Sequence, residues 1–396
     1  MAIRVGVFFG GKSVEHEVSI ISALQALPFF DRGKYDPVPV YMTKEGHMYV
    51  GDLIGKIEEY QDVPALLSRS RRVVGVREEE RFFLMRYPFR RFGSSVHCEL
   101  DVAFPIVHGT NVEDGALQGY FRTMGLPFVG PDVAASALGM EKGFMKSILR
   151  DAGLPVLDCR HAYVRDFFRD PDGTVRDIEA AFPYPLVVKP VNLGSSIGIS
   201  RAEDALELRG ALEHAFQYAQ NALVEPAVAN LREVNCAVLG DQESILASEC
   251  EEPLTTHAIL NYEDKYAQGP AKGKSFGVGG MSSARRKLPA DLPHEVREQV
   301  RSLAQRTFRA LGCNGVARVD FLMDASDGTL WVNEINTIPG SLSFYLWEPV
   351  GLSYKELIDR LIELALKRER EKAGVSYSFE TNILANLSRY GGKGKS

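Results

Sequence analysis

Cysteine is scarce and unpatterned in this 396-residue chain: Cys98, Cys159, Cys236, Cys250 and Cys313 are odd in number, widely spread and without a CxxC pair. That distribution argues against a disulfide framework or a zinc ribbon and reads as reduced, mostly buried thiols. An excess of basic charge is also missing. The 46 Lys and Arg residues fall short of the 52 Asp and Glu, for a net charge of −6, so no global field favours nucleic acid or an anionic membrane surface. No apolar run approaches the ~20 residues of a membrane span, and the stretch Val5 to Phe9 is far shorter than a signal-peptide core. A cytoplasmic protein with neither nucleic-acid nor membrane partners is the expectation. Low-complexity bias is absent too: 45% hydrophobic and 25% charged residues is a globular balance. At about 150 residues per domain the length allows two to three domains.

The first forty residues alternate strand and helix. Ile3 to Phe9 is apolar, Gly10 and Gly11 break it, Val18 to Leu27 is helix-like, and a second strand follows at Val38 to Tyr41. That order begins an open parallel α/β sheet, with its glycine turn at the carboxyl end of strand one, where such sheets bind ligands. Arg69 to Arg91 carries eight arginines around Glu78, Glu79 and Glu80 and reads as an exposed hairpin with a solvated charged face. The strand Val102 to Val107 ends at His108-Gly109 and feeds the same crevice. Further on, the spacing predicts a helix over Ser136 to Asp151, using Leu138, Phe144, Met145, Ile148 and Leu149. Strands are predicted at Leu186 to Lys189 and Ile197 to Ser200, and a helix at Ala205 to Gln220. Strands at Leu223 to Glu225 and Val234 to Leu239 come next. Gly269 to Gly280, with five glycines, reads as a mobile loop. Leu292 to Leu311 reads as helix. Val316 to Met323 and Leu330 to Ile335 read as a hairpin around Asp327-Gly328, and Ser353 opens the last long helix with Glu356 at capping-box spacing. The end, Gly391 to Ser396, reads as disordered.

Residues 6–13, GVFFGGKS, satisfy the phosphate-cradling pattern GxxxxGK[ST]. Context speaks against it: Val5, Val7, Phe8 and Phe9 must supply the buried strand, and Gly10 to Ser13 alone is too short to wrap a phosphate. What survives is a tight turn delivering Ser13, Glu15 and His16 to the start of a helix. A plain structural reading, Ser13 as cap and Glu15 as complement to the helix dipole, fits equally well. Asn192 to Ser196 is small and hydroxyl-bearing and joins two strands; it is an ordinary turn or a loop folded over polyphosphate. Lys189 on the incoming strand favours the second reading, because a lysine between apolar strand neighbours is costly unless its ammonium has a partner. His108 with Glu113 and Asp114 suggests a metal or acid-base site, but no ligand spacing supports a transition metal. Glu225 and Glu233 read as nucleotide contacts or surface acids, residues 261–266 as a lid hinge or polar loop, and Met140 and Met145 as core.

The strongest local signal is the hairpin around Asp327. Its folding sets Asp320 opposite Glu334 and Arg318 opposite Asn336, with Arg318 and Asp320 on one face. Opposed carboxylates repel unless a divalent cation lies between them, and oxygen ligands from Asp, Glu and Asn suit Mg²⁺ that completes its shell with waters and nucleotide phosphates. The neighbouring guanidinium then faces developing negative charge.

Four segments in order, FGGKSVEHEVS (9–19), HGTNVEDG (108–115), VKPVNLGSSIG (188–198) and EINTIPG (334–340), give the chain a combined pattern more specific than any one motif. It resembles the D-alanine:D-alanine ligases of the ATP-grasp superfamily, and the resemblance runs from the first strand to about Leu366. What it implies is an α/β, three-domain ATP-grasp architecture. An N-terminal open parallel α/β sheet forms a Rossmann-like substrate domain (1–130). Two α+β domains that sandwich ATP follow, one central (131–224) and one C-terminal (225–375) with a lid loop and Mg²⁺ site, before a tail (376–396).

By position in the matching motifs, Lys142 and Lys189 are the phosphate-contacting lysines, and the loop from Asn192 through Ser196 covers the phosphates. Glu225 contacts adenine, Glu233 the ribose, and Lys265 lies on the lid near phosphate. Asp320, Glu334 and Asn336 match the ligands of two Mg²⁺ ions, with Mn²⁺ as a substitute. Glu15, Ser195 and Tyr266 match a trio that holds the first D-alanine and fastens the lid, with His108 near that substrate's carboxylate. Arg318 and the Gly340 amide stabilise the oxyanion of the second step. The implied reaction makes D-alanyl-D-alanine for peptidoglycan through a D-alanyl phosphate, releasing ADP and phosphate. The segment after Gly340 departs from the Ser/His-rich stretch of many members, and Tyr345 stands where the second substrate's carboxylate is held. D-lactate or D-serine as acceptor, or a nucleotide-binding regulatory protein without catalysis, are the competing readings; Tyr266 resembles the dipeptide-forming members. A homodimer is common in the family.

Overall fold

The first strand needs no help from its neighbours' chemistry. Residues Val5, Val7, Phe8 and Phe9 are fully buried, and removing one such side chain from water is worth about 2 kcal/mol. In the computed structural model, which describes residues 2–194, 196–254 and 286–376, these residues lie on β1 (Ile3–Gly10), one strand in from the edge of a seven-stranded sheet. The sheet also contains β2 (Tyr35–Met42), β3 (Met48–Val50), β4 (Arg71–Glu78), β5 (Arg81–Arg86), β6 (Val96–Leu100) and β7 (Val102–Pro105), in the order β6-β5-β4-β3-β2-β1-β7. Only β2, β1 and β7 run parallel; β3 to β6 add antiparallel. The sheet is therefore mixed, and the arginine-rich hairpin is its extension. Its most exposed residues, Arg71, Arg77, Glu78 and Arg81, are charged, Val73, Phe82 and Leu84 turn into the core, and Val74, Val76, Phe83 and Met85 are half-buried on the opposite face. Gly6 sits within β1, where an added Cβ would meet Leu100 at 2.5 Å, so it cannot open a phosphate loop.

A four-stranded sheet, β10-β9-β11-β8, is built from β8 (Arg160–Tyr163), β9 (Leu186–Pro190), β10 (Ser200–Ala202) and β11 (Asn221–Pro226). A five-stranded sheet, β14-β13-β12-β15-β16, is built from β12 (Leu231–Gly240), β13 (Ile245–Pro253), β14 (Arg286–Lys287), β15 (Gly315–Asp324) and β16 (Leu330–Asn336). The second carries its own core around Phe308, Phe321 and Val332, which also takes in Met145 and Leu149. The helix Tyr354–Lys372 opens with the expected capping box and packs Leu357, Leu361 and Ile362 into the core of the seven-stranded sheet. Among the described residues no helix is long and apolar enough to cross a membrane.

Several expectations shift. The helix predicted from Ser136 to Asp151 is two helices, Val133–Met140 and Lys142–Asp151, parted at Glu141. Glu141 adopts φ −91°, ψ 101°, and its carboxylate caps the second helix by accepting from Phe144 N at 2.6 Å. Phe144 consequently points outward, 62% exposed, rather than into the core. The strand expected at Ile197 to Ser200 begins only at Ser200, because residues 196–198 turn with Ser196 and Gly198 at positive φ. The helix from Ala205 ends at Ala215.

Candidate active site

The hairpin of β15 and β16 pairs Arg318 with Asn336 and Asp320 with Glu334, the register expected from a turn at Asp327-Gly328. Beyond Asp320 the register slips, so that Phe321 meets Val332 and Asn333 becomes the extra residue of a bulge. The bulge re-aims Asn333, whose Oδ1 accepts from Lys189 Nζ at 3.0 Å. Arg318 holds Asp320 bidentately, at 2.6 and 2.7 Å, and Asn336 Nδ2 donates to the same carboxylate at 3.0 Å. Burial pulls Arg318 down, but the Asp320 carboxylate outweighs it and leaves the guanidinium well above its ordinary range. Across the hairpin Glu334 Oε2 lies 3.2 Å from Lys142 Nζ, which also donates to Leu193 O at 2.7 Å. The opposed carboxylates are thus each compensated by their own cation.

A cleft of about 450 Å³ separates the four-stranded and five-stranded sheets, a size suited to a nucleotide. Lys189, Ser196, Glu225, Glu233, Asp320 and Glu334 all line it. At its floor Glu225 is buried between two lysines, 2.6 Å from Lys189 Nζ and 2.6 Å from Lys146 Nζ. Burial raises the Glu225 carboxyl, yet Lys189 and Lys146 together hold it below the ordinary carboxylate range.

A second, smaller cleft of about 40 Å³ is lined by Glu15, His108, Lys142, Arg318, Asn336 and Gly340, among others, and Glu334 and Leu193 line both clefts. Glu15 stands just ahead of the helix His16–Ala26, buried against two backbones. A Cβ on Gly194 would meet Glu15 Oε2 at 2.8 Å, and one on Gly109, which has φ +84°, would meet it at 2.9 Å. Ser13 does not cap that helix; its Oγ accepts from Glu15 N at 3.1 Å. His16 is structural, with Nδ1 2.6 Å from Gly11 O and Nε2 3.0 Å from Tyr41 Oη.

His108 Nδ1 lies 2.9 Å from Ile338 O and Nε2 3.0 Å from Ser22 Oγ. A carbonyl only accepts, so Nδ1 carries the proton and Nε2 accepts from Ser22. Burial lowers the imidazole to about 4, which keeps it neutral at ordinary pH. Glu113 Oε2 accepts from Gly109 N at 3.0 Å and Oε1 from Ile338 N at 3.0 Å; burial pushes this carboxyl up to about 7. Asp114 instead serves the loop backbone, accepting from Asn111 N and Ala116 N.

The structure therefore brings Glu15, His108, Lys142, Lys189, Ser196, Glu225, Glu233, Arg318, Asp320, Glu334, Asn336 and Gly340 to two adjoining clefts. Tyr345 lines neither. It is buried with its hydroxyl donating to Glu251 Oε1 at 3.1 Å and its ring under the Arg286 guanidinium at 3.8 Å. Ser195, Lys265 and Tyr266, with the rest of residues 261–266 and the glycine-rich segment 269–280, lie outside the described residues. The sequence pattern does not mark Lys146, and it marks Glu113 only beside His108 and Asp114 as a metal or acid-base site, whereas the structure turns Glu113 onto the Gly109 and Ile338 N–H groups. Lys146 shares the inward face of its helix with Met145 and Leu149, and the cost of an unpartnered buried lysine, the same signal that marks Lys189, points to it.

The donor set fits a hard divalent cation. Asp320, Glu334 and Asn336 offer only oxygen ligands, and among the described residues no group of three or more His, Cys, Asp or Glu could hold an ion alone. Such a pair of carboxylates with one carboxamide suits a cation that takes its remaining ligands from phosphate and water.

A family model described as D-ala D-ala ligase N-terminus matches residues 4–131, and one described as D-ala D-ala ligase C-terminus matches residues 148–363. A D-alanine--D-alanine ligase of Acetivibrio thermocellus is 40% identical over 376 residues, covering 92% of this chain and 96% of its own length. Among solved structures, the D-alanine-D-alanine ligase of Coxiella burnetii superposes with a TM-score of 0.76 at 31% identity, covering 94% of this chain and 96% of that one. The VanG D-Ala:D-Ser ligase of Enterococcus faecalis gives 0.75 at 29% identity, covering 92% and 100%.

Proposed function

Because the chain belongs to the D-alanine--D-alanine ligase family, of ATP-grasp fold, we propose that it joins two D-alanine molecules into D-alanyl-D-alanine for peptidoglycan, at the expense of ATP. The observation that carries the reading is Glu334, which lines both the nucleotide-sized cleft and the smaller cleft beside Glu15, so that phosphoryl donor and acceptor meet at one wall. ATP occupies the larger cleft. Lys142 and Lys189 hold its phosphates, the loop ending at Ser196 covers them, and Lys265 reaches them from the lid. Glu225 serves the adenine and Glu233 the ribose, and Glu225 also fixes the phosphate-holding Lys189.

The first D-alanine sits against Glu15, with Ser195 and Tyr266 completing its grip. Its carboxylate oxygen attacks the γ-phosphoryl, ADP leaves, and D-alanyl phosphate forms. Asp320, Glu334 and Asn336 would hold two Mg²⁺ ions, or Mn²⁺ in their place, which when bound neutralise phosphate charge. The amine of the second D-alanine then attacks the acyl carbon. Arg318 and the Gly340 N–H stabilise the oxyanion, and phosphate departs carrying one oxygen of the first D-alanine's original carboxylate. His108, neutral and with both ring nitrogens engaged, contributes by fixing the backbone beside the substrate rather than by charge.

Incubation with ATP, Mg²⁺ and D-alanine, with and without D-lactate or D-serine, followed by mass spectrometry, tests the reading. Dipeptide undiminished by either competitor is expected; a mixed product moves the acceptor assignment to the segment around Tyr345. Consumption of ATP and five unpaired thiols accord with the cytoplasm. Family resemblance supports a homodimer, which sedimentation equilibrium tests.

A further inference from the structure

The turn from Asn336 to Gly340 leaves the five-stranded sheet, yet its fixings come from the other end of the chain. Ile338 is clamped on both sides of its residue: its N–H donates to Glu113 Oε1 at 3.0 Å and its carbonyl accepts from His108 Nδ1 at 2.9 Å. Thr337 Oγ1 adds a contact to Glu113 Oε1 at 3.3 Å. Just past Gly340, Ser341 N donates to Ser22 Oγ at 3.1 Å and Ser341 Oγ to Gln25 Oε1 at 2.6 Å. Glu113, His108, Ser22 and Gln25 are all buried. They sit on the loop after β7 and on the helix His16–Ala26, both packed on the seven-stranded sheet.

We infer that Glu113 is a positioning residue for the second chemical step: by clamping Ile338 it aims the Gly340 N–H, two residues on, at the oxyanion formed when the acceptor amine attacks D-alanyl phosphate. The inference rests on the ligase reading above. Between Ile338 and Gly340 lies only Pro339, whose ring fixes its own φ, so a displacement at Ile338 is transmitted to the Gly340 amide rather than absorbed. An oxyanion donor acts only when it lies close to the position the charge will occupy, and removing one such donor elsewhere costs about a hundredfold or more in rate. Phosphoryl transfer depends on other groups, among them Lys142, Lys189, Asp320 and Glu334, none of which hydrogen-bonds to Glu113.

Weakening the clamp therefore separates the two steps. Glu113→Gln keeps the size of the side chain but replaces one acceptor oxygen with an NH₂, which must then oppose either the Gly109 or the Ile338 N–H. D-alanyl phosphate still forms, waits longer for the amine, and is cleaved by water at its acyl–phosphate bond, returning D-alanine and phosphate. The net result is ATP hydrolysis without dipeptide.

The experiment measures ADP released per dipeptide formed, with KM for ATP alongside, in the wild type and in Glu113→Gln. Ser22→Ala, which releases the other side of Gly340, serves as an independent second variant, and circular dichroism confirms the fold of each. The wild type is expected to give a ratio near one. In the variants dipeptide turnover should fall tenfold or more, the ratio should rise at least threefold and KM for ATP should stay within twofold. Equal loss of ADP and dipeptide at an unchanged ratio in both folded variants, or no loss in either, overturns the inference. A wild type that makes no dipeptide overturns the ligase reading instead.

Discussion

Lys146 and Glu225 form an ion pair of 2.6 Å from which water is excluded, their side chains 0% and 2% exposed. Two buried lysines share this carboxylate, so removing it strands two cations, whereas removing Lys146 leaves the Lys189 pair intact. Breaking a buried pair by deleting one partner costs about 3–5 kcal/mol. Glu225→Gln is expected at or above that range in urea unfolding, and to raise KM for ATP because Lys189 loses its anchor. Lys146→Met should cost less. The reverse order of stabilities would show that Glu225 is not the hub.

Glu334→Gln keeps the size of the side chain but removes a charge from the wall shared by the two clefts. Turnover should fall at least about a hundredfold with melting temperature changed by little, the scale of losing one electrostatic contact to the reacting groups. Chelation of divalent ions should abolish turnover in the wild type, and either Mg²⁺ or Mn²⁺ should restore it. Retained turnover in Glu334→Gln would remove this residue from the cation site.

His108 and Glu113 titrate against each other. The folded state lowers His108 from 6.5 to about 4, so between those values only the unfolded chain is protonated there and stability rises with pH. It raises Glu113 from 4.5 to about 7, so in that window only the folded chain holds the proton and stability falls as pH rises. The two slopes, each about 1.4 kcal/mol per pH unit at most, oppose one another where the windows overlap. Relative to the wild type, His108→Gln should become less stable with rising pH between 4.5 and 6.5, and Glu113→Gln more stable. Chemical denaturation across that range reads both slopes.

The capping box at Ser353 is a plain stability device. Ser353 Oγ accepts from Glu356 N at 3.3 Å, and Ser353 N donates back to Glu356 Oε2 at 2.9 Å. Ser353→Ala should cost about 1 kcal/mol without altering turnover, since the helix it starts packs on the seven-stranded sheet away from both clefts. A change in KM would contradict that separation.

Local chemistry was legible where a tight turn fixes register. Asp327-Gly328 sets Asp320 across from Glu334 because strand pairing propagates from the turn, and the pattern Ser353-x-x-Glu356 marks a helix start for the same short-range reason. The bulge at Asn333 was not legible, since an inserted residue is favoured by what it reaches, here Lys189, which lies far away in sequence. β13 escaped notice because Glu249, Glu251 and Glu252 dilute its apolar pattern; two of these acids are buried only because Arg286 and Arg232 meet them. The break at Glu141 hides inside a continuous helical spacing, and it is the break that brings Lys142 N to Val191 O and its ammonium to Glu334. Roles of Glu113 and Lys146 depend on partners more than 70 residues away, which periodicity does not encode.

The central claim is that a D-alanine carboxylate attacks the γ-phosphoryl of ATP where the two clefts meet. The most direct measurement uses D-alanine labelled with ¹⁸O in its carboxylate and follows the label into released phosphate by mass spectrometry. One labelled oxygen per phosphate, in step with dipeptide, is the predicted result. Dipeptide accompanied by unlabelled phosphate would contradict the account.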